Sequence, residues 1–105
     1  MQKSMLREIG AFVPDEPERV KVEWQTAKDE TRSAEVEIKH LSFADMEKLE
    51  AGTPGFLMRL VLACVMFDGE HLTQEEVANL DPRFAKSLVR KAIEVQGGEE
   101  DDPNG

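Results

Sequence analysis

At 105 residues, the chain is long enough for one modest core and too short for two independent ones. Twenty-two acidic against 13 basic residues leave a net charge of −9. That balance repels phosphate backbones and anionic bilayers, which excludes nucleic acid and membrane surfaces as expected partners. The single cysteine, Cys64, has no internal disulfide partner, and the opening Met1–Glu8 lacks the apolar segment of a secretion signal, so a cytoplasmic location is expected.

Taken from the N-terminus, residues 1–18 read as a flexible arm, because Pro14-Asp15-Glu16-Pro17-Glu18 fixes φ twice and removes two backbone donors. The pattern then changes to period two. Val20, Val22 and Trp24 alternate with Lys21 and Glu23, and Ala34, Val36 and Ile38 alternate with Glu35, Glu37 and Lys39. Joined by the polar Thr26–Thr31, these segments predict an antiparallel hairpin with one buried face.

After Leu41 the period becomes helical. Ser42 with Asp45 resembles a capping box whose acid is one methylene short, and Gly52 supplies the stop of a short helix ending near Leu49. Thr53-Pro54 reads as an N-cap and first helical residue for an apolar helix running to Met66 or Phe67, with Asp68-Gly69 as its exit turn. Leu62, in its middle, is expected in the core. From Phe56 to Phe67 the helix is shorter than the ~20 residues that cross a bilayer. Thr73-Gln74-Glu75-Glu76 is a full capping box for about two turns to Leu80, and Asp81-Pro82 starts a last helix with Phe84, Leu88, Val89, Ala92 and Ile93 at three- and four-residue spacings. Gly97-Gly98 ends it.

The fold class expected is therefore α+β: an N-terminal antiparallel hairpin followed by about four α-helices, mainly helical. One hairpin-plus-helices domain spans 19–97. Residues 98–105 carry four carboxylates and no base, and read as a disordered acidic tail.

No arrangement for catalysis or metal binding stands out. Asp68-Gly69 suggests the middle of a calcium loop, yet in that register the first and third ligand positions would be Cys64 and Met66, which offer no hard oxygen. His40 and His71 lack partners at ligand spacing, and His40, at the end of the second strand, is expected at a solvated or edge position. Cys64 lies between Ala63 and Val65 with no cationic neighbour to activate it, which suits burial as a small apolar residue. The acids Glu30, Glu35, Glu37, Glu47 and Glu50 read as solvated faces rather than a paired active-site set. The chain is expected to be no enzyme and to need no cofactor.

Two features suit protein binding instead. Arg83, Lys86 and Arg90 fall at i, i+3 and i+7 on the last helix and form a basic stripe in an acidic chain, either a solvated face or a docking stripe for an acidic or helical partner. The helix from Phe56 is apolar around nearly its whole circumference, and Met58 and Met66 are side chains suited to adaptable grooves, so it is either central in the fold or a sticky surface for a partner or a second copy. Candidate partner-binding residues are thus Arg83, Lys86, Arg90, Met58 and Met66.

The order of these elements resembles the tail assembly chaperones of long-tailed bacteriophages, over about residues 10 to 96. The resemblance lies in the hairpin leading into Leu41-Ser42-Phe43, the Leu62-Ala63-Cys64-Val65 helix, the Asp68-Gly69 turn with Thr73-Gln74-Glu75-Glu76-Val77, and the ending Lys91-Ala92-Ile93-Glu94-Val95-Gln96. The family commonly has Asn-Gly where this chain has Gln96-Gly97. The resemblance implies a protein that binds and solubilises the long helical tape-measure protein, helps recruit the major tail protein of the tube, works in the host cytoplasm and leaves before the virion is mature. The rival reading is a small acidic adaptor, or an antitoxin-like inhibitor, that neutralises a basic protein.

Overall fold

A computed structural model describes residues 1–98, and its architecture is α+β. The two alternating segments form strands β1 (Glu18–Gln25) and β2 (Thr31–Ile38), antiparallel, with Val20 opposite Val36 and Val22 opposite Ala34. Directly opposed residues share a face, so the apolar positions of both strands point the same way, and Val22, Val36 and Ile38 are fully buried. The connecting loop closes on Thr26, whose N–H donates to the Glu30 carbonyl at 2.8 Å.

Helix α1 (Phe43–Leu49) begins with a complete capping box: the Asp45 N–H donates to Ser42 Oγ, and the Ser42 N–H to Asp45 Oδ2, both at 3.1 Å. The short aspartate reaches after all. Those bonds to the charged form hold its carboxyl below the ordinary aspartate value of 3.8, the Ser42 backbone donor being the largest cause. The helix ends at Glu50, which itself takes the left-handed conformation, φ 56°, ahead of Gly52.

Helix α2 (Phe56–Cys64) is shorter than the sequence predicts at both ends. Thr53 does not cap it. Its hydroxyl donates to the Glu50 carbonyl at 2.6 Å and accepts from Arg59, while Gly55, at φ 86°, occupies the cap position. At the far end the helical period of apolar residues continues through Phe67, but the backbone leaves the helix at Val65. Residues Val65–Phe67 form strand β3, paired antiparallel with β2 through Ile38 opposite Val65 and Glu37 opposite Met66. A free strand edge presents N–H and C=O groups that need partners, and this non-local pairing outweighs the local helical pattern.

Asp68-Gly69 is consequently a hairpin turn and not a helix exit. Both residues have positive φ, 51° and 82°, as a two-residue type I′ turn requires, and strand β4 (Glu70–His71) returns along β3. The Glu37 carboxylate fastens this turn by accepting from the Gly69 N–H at 2.9 Å while it pairs with Arg19 at 3.3 Å. The sheet is four-stranded, in the order β1-β2-β3-β4.

Helix α3 (Gln74–Ala78) carries the expected Thr73–Glu76 capping box, and α4 (Pro82–Val95) the expected Asp81 cap with proline behind it. Helix α4 lies on β1. The Trp24 and Phe84 rings meet at 4.4 Å between centroids with a 52° tilt, and the Ser87 hydroxyl donates to the Glu23 carbonyl at 2.9 Å. The core between sheet and helices is completed by Leu60, Val61, Cys64, Val65, Leu88 and Ala92. Leu62, expected inside, is only half-buried, because the inward face of α2 runs through Phe56, Leu60, Val61 and Cys64. The arm contains one 3-10 turn, Lys3–Met5, and leaves Met5, Ile9 and Phe12 exposed. The acidic tail expected at 98–105 lies, apart from Gly98, outside the described residues.

Candidate functional site

The outward side of α2 does not become polar where the core ends. Leu57 and Met58 are 51 % and 36 % exposed, and with Val61 they form one wall of a groove of about 400 Å³ open to solvent. Val77 of α3, with Leu80 just beyond it, lines a second side. The third wall is α4, where Pro82, Ala85, Val89 and Ile93 recur at three- and four-residue intervals and so share a face.

Helix α4 can serve both the groove and the sheet because it is apolar on two adjacent faces. Phe84, Leu88 and Ala92 face inward to Trp24 and the core; the Ala85, Val89 and Ile93 stripe lies one residue further round. The short α3 packs against α2; its own capping box fixes its start, and Asn79 Nδ2 donates to the Glu75 carbonyl at 2.9 Å where it ends. Together α2, α3 and α4 hold a concave apolar surface in place.

Lys86 and Arg90, one turn apart on α4, border this surface, and both are exposed. Among the described residues, no carboxylate lines the groove. The two described charges at its rim are both cations, on a chain whose net charge is −9. Arg83, the first member of the sequence stripe, is not among the lining residues. Its guanidinium folds back on Asp81, Nε to Oδ1 and Nη2 to Oδ2 both at 3.0 Å, while the Arg83 N–H donates to the same carboxylate at 2.8 Å. The Arg83 side-chain bond, followed by its backbone donor, lowers the Asp81 pKa, and the pairing raises that of Arg83.

Of the five residues the sequence singles out, the structure brings together Met58, Lys86 and Arg90. Met66 is elsewhere. Opposed to Glu37 on one side and His71 on the other, it occupies the face of the sheet that Ile38 and Val65 do not, so strand alternation turns it from the core and the groove alike. Sequence reasoning missed Leu57, Val77, Leu80 and Val89 as groove residues. For Val89 the signal was the second apolar stripe of α4; Leu57, Val77 and Leu80 join it only once α2 and α3 are placed beside that helix.

Cys64 is fully buried, and burial pushes its thiol up to about 11, consistent with a small apolar role. His40 stands at the sheet edge with Nε2 3.4 Å from a Glu18 oxygen, its side chain only 15 % exposed, so it is an edge residue more covered than expected. Among the described residues no three His, Cys, Asp or Glu side chains come together to hold a metal, and no helix is long and apolar enough to cross a membrane. Comparison with protein-family models, with curated proteins and with solved structures finds no match to this chain.

Proposed function

We propose that the chain is a protein-binding chaperone of the phage tail assembly type, which holds apolar helical segments of the tape-measure protein in the groove between α2, α3 and α4 and keeps that protein soluble for the tube subunits. The observation that carries this reading is the groove: a preformed apolar concavity, bordered by cations, on an acidic chain. The order of sequence elements supports the tail assembly class. An acidic surface suits the task as well, since it keeps the loaded complex from self-association.

Co-expression tests it. With the tape-measure protein of its own phage as client, the unmodified chain should move the client from the pellet to the soluble fraction. Leu57→Asp with Met58→Asp, at two exposed positions, should leave the fold intact by circular dichroism and abolish the rescue. A failed rescue by the unmodified chain, together with binding to a basic protein that weakens steeply as salt rises, would place the chain in the acidic adaptor class instead.

A further inference from the structure

Among the described residues, the exposed large hydrophobics gather in two places. Leu57 and Met58 line the groove, and Met1, Met5, Ile9, Phe12 and Val13 lie on the N-terminal arm, with Phe43 sharing an open cleft with the last two at the arm's root. From Met1 to Arg19 only Leu6 is even half-buried, so nothing among the described residues covers the arm. The arm is nevertheless built. The Ile9 N–H donates to the Met5 carbonyl at 3.3 Å, and at Gly10, φ 80°, the Gly10 and Ala11 N–H groups return to the Arg7 and Leu6 carbonyls at 3.3 and 2.9 Å, which is the glycine stop of a helix C-terminus. Helical spacing puts Met1, Met5 and Ile9 on one side of it and Lys3 and Arg7 on the other. A segment of about two turns is too short to persist in water by itself, so its apolar stripe and its stop are of use only against a surface.

We infer that this surface is the groove of a second copy: two chains exchange arms, each seating Met5 and Ile9 against Leu57, Met58 and Val89 of the other. The groove is long enough. Its α4 wall, from Pro82 to Ile93, runs roughly 16–17 Å at 1.5 Å per residue, which accommodates the two turns of the arm and Phe12 after them. Pro14 and Pro17 fix φ on either side of Asp15 and Glu16, so the connector to β1 is a stiff spacer, better suited to carrying the arm to a neighbour than to folding it back. The area requires reciprocity. The five arm side chains leave roughly 400 Å² in water, so one arm against an equal area of groove buries about 800 Å², the size of a weak encounter, whereas an exchanged pair reaches the ~1,600 Å² of a stable dimer. The inference goes beyond the chaperone role and does not need it; where both hold, the arm is the occupant that a client displaces.

Sedimentation equilibrium of the full chain should show monomer and dimer in exchange. Met5→Asp with Ile9→Asp on the arm, or Leu57→Asp in the groove, changes only exposed positions, so each variant should keep the far-UV circular dichroism of the parent while its dimer dissociation constant rises about tenfold or more. Cross-linking then places the arm. A chain with Met5→Cys or Ile9→Cys, mixed with a size-tagged chain carrying Leu57→Cys and mildly oxidised, should give a disulfide-linked heterodimer from at least one of the two pairings; Lys28→Cys, on the β1–β2 loop, should give none with either, and the buried Cys64 takes no part. A chain that is monomeric at every concentration, a dimer that the arm substitutions leave intact, or arm and groove cysteines that link only within one chain overturns the inference. Rescue of the tape-measure protein by a chain that never dimerises removes this inference and leaves the chaperone role standing; arm exchange without rescue does the opposite.

Discussion

Arg59 interrupts an otherwise apolar helix because its guanidinium binds outside that helix. Nε and Nη2 donate to the Leu49 carbonyl at 3.0 and 2.8 Å, Nη1 donates to the Pro54 carbonyl at 3.0 Å, and Nη2 also bonds Thr53. One side chain thereby satisfies a carbonyl at the end of α1 and fixes the loop from Glu50 to Gly55 that delivers Leu57 and Met58 to the groove. Gly55 fits this arrangement, since a Cβ there would lie 2.9 Å from Arg59 Nη1 and its φ is 86°. Arg59→Met keeps the stem and removes the fork. It should lower stability by roughly 1–3 kcal/mol through the partly buried carbonyl left unmet, read as a lower denaturant midpoint at unchanged slope. Arg59→Lys should recover only part of the loss, because an ammonium cannot span the same acceptors.

At the scale of elements, α2 has two unlike faces, and they predict two unlike mutants. Leu60 is 1 % exposed in the core, so Leu60→Ala should cost roughly 2–5 kcal/mol. Leu62 is half-buried, so Leu62→Ala should cost less than Leu60→Ala; thermal denaturation of the pair decides, and equal losses would mean that the inward face has been misassigned. The sequence alone made the two hard to rank, because an all-apolar helix has no polar side to mark which residues turn inward. What was legible was local. The alternation of β1 and β2 set their facing, and the boxes at Ser42 and Thr73 and the cap at Asp81 set three helix starts, each within a few residues of chain. Strand β3 was not legible, because Val65-Met66-Phe67 becomes a strand only by meeting the β2 edge, about 27 residues back in sequence, and its apolar content fits a helix equally well. The Asp68-Gly69 pair did carry the hairpin signal, but the runs beside it, three and two residues long, were too short to register as strands. The groove was half legible: the cations and Met58 stood out by type and spacing, whereas its floor depends on how three helices sit together.

Across the whole molecule, the sheet and α4 are tied at both ends of the helix. Trp24 against Phe84 and Ser87 on Glu23 hold its first half to β1. At the other end the Gln96 amide makes a two-sided clasp on the chain leaving β2: Oε1 accepts from the Leu41 N–H, and Nε2 donates to the Lys39 carbonyl, both at 2.8 Å. Contacts between residues 55 and 57 positions apart close the fold on itself, so α4, the longest wall of the groove, keeps its place only while both ends hold. Gln96→Ala leaves one donor and one acceptor of the backbone without their partner and should cost roughly 1–2 kcal/mol. Hydrogen exchange locates the effect: the Leu41 amide should lose protection in Gln96→Ala, while the amides that pair β1 with β2 keep theirs. Gln96→Glu separates the two halves of the clasp. A carboxylate can still accept from Leu41 but has no N–H for Lys39, so Leu41 should remain protected while stability falls by about half as much as in the alanine variant. Leu41 protection that is unchanged in both variants would show that the clasp does not hold the end of α4.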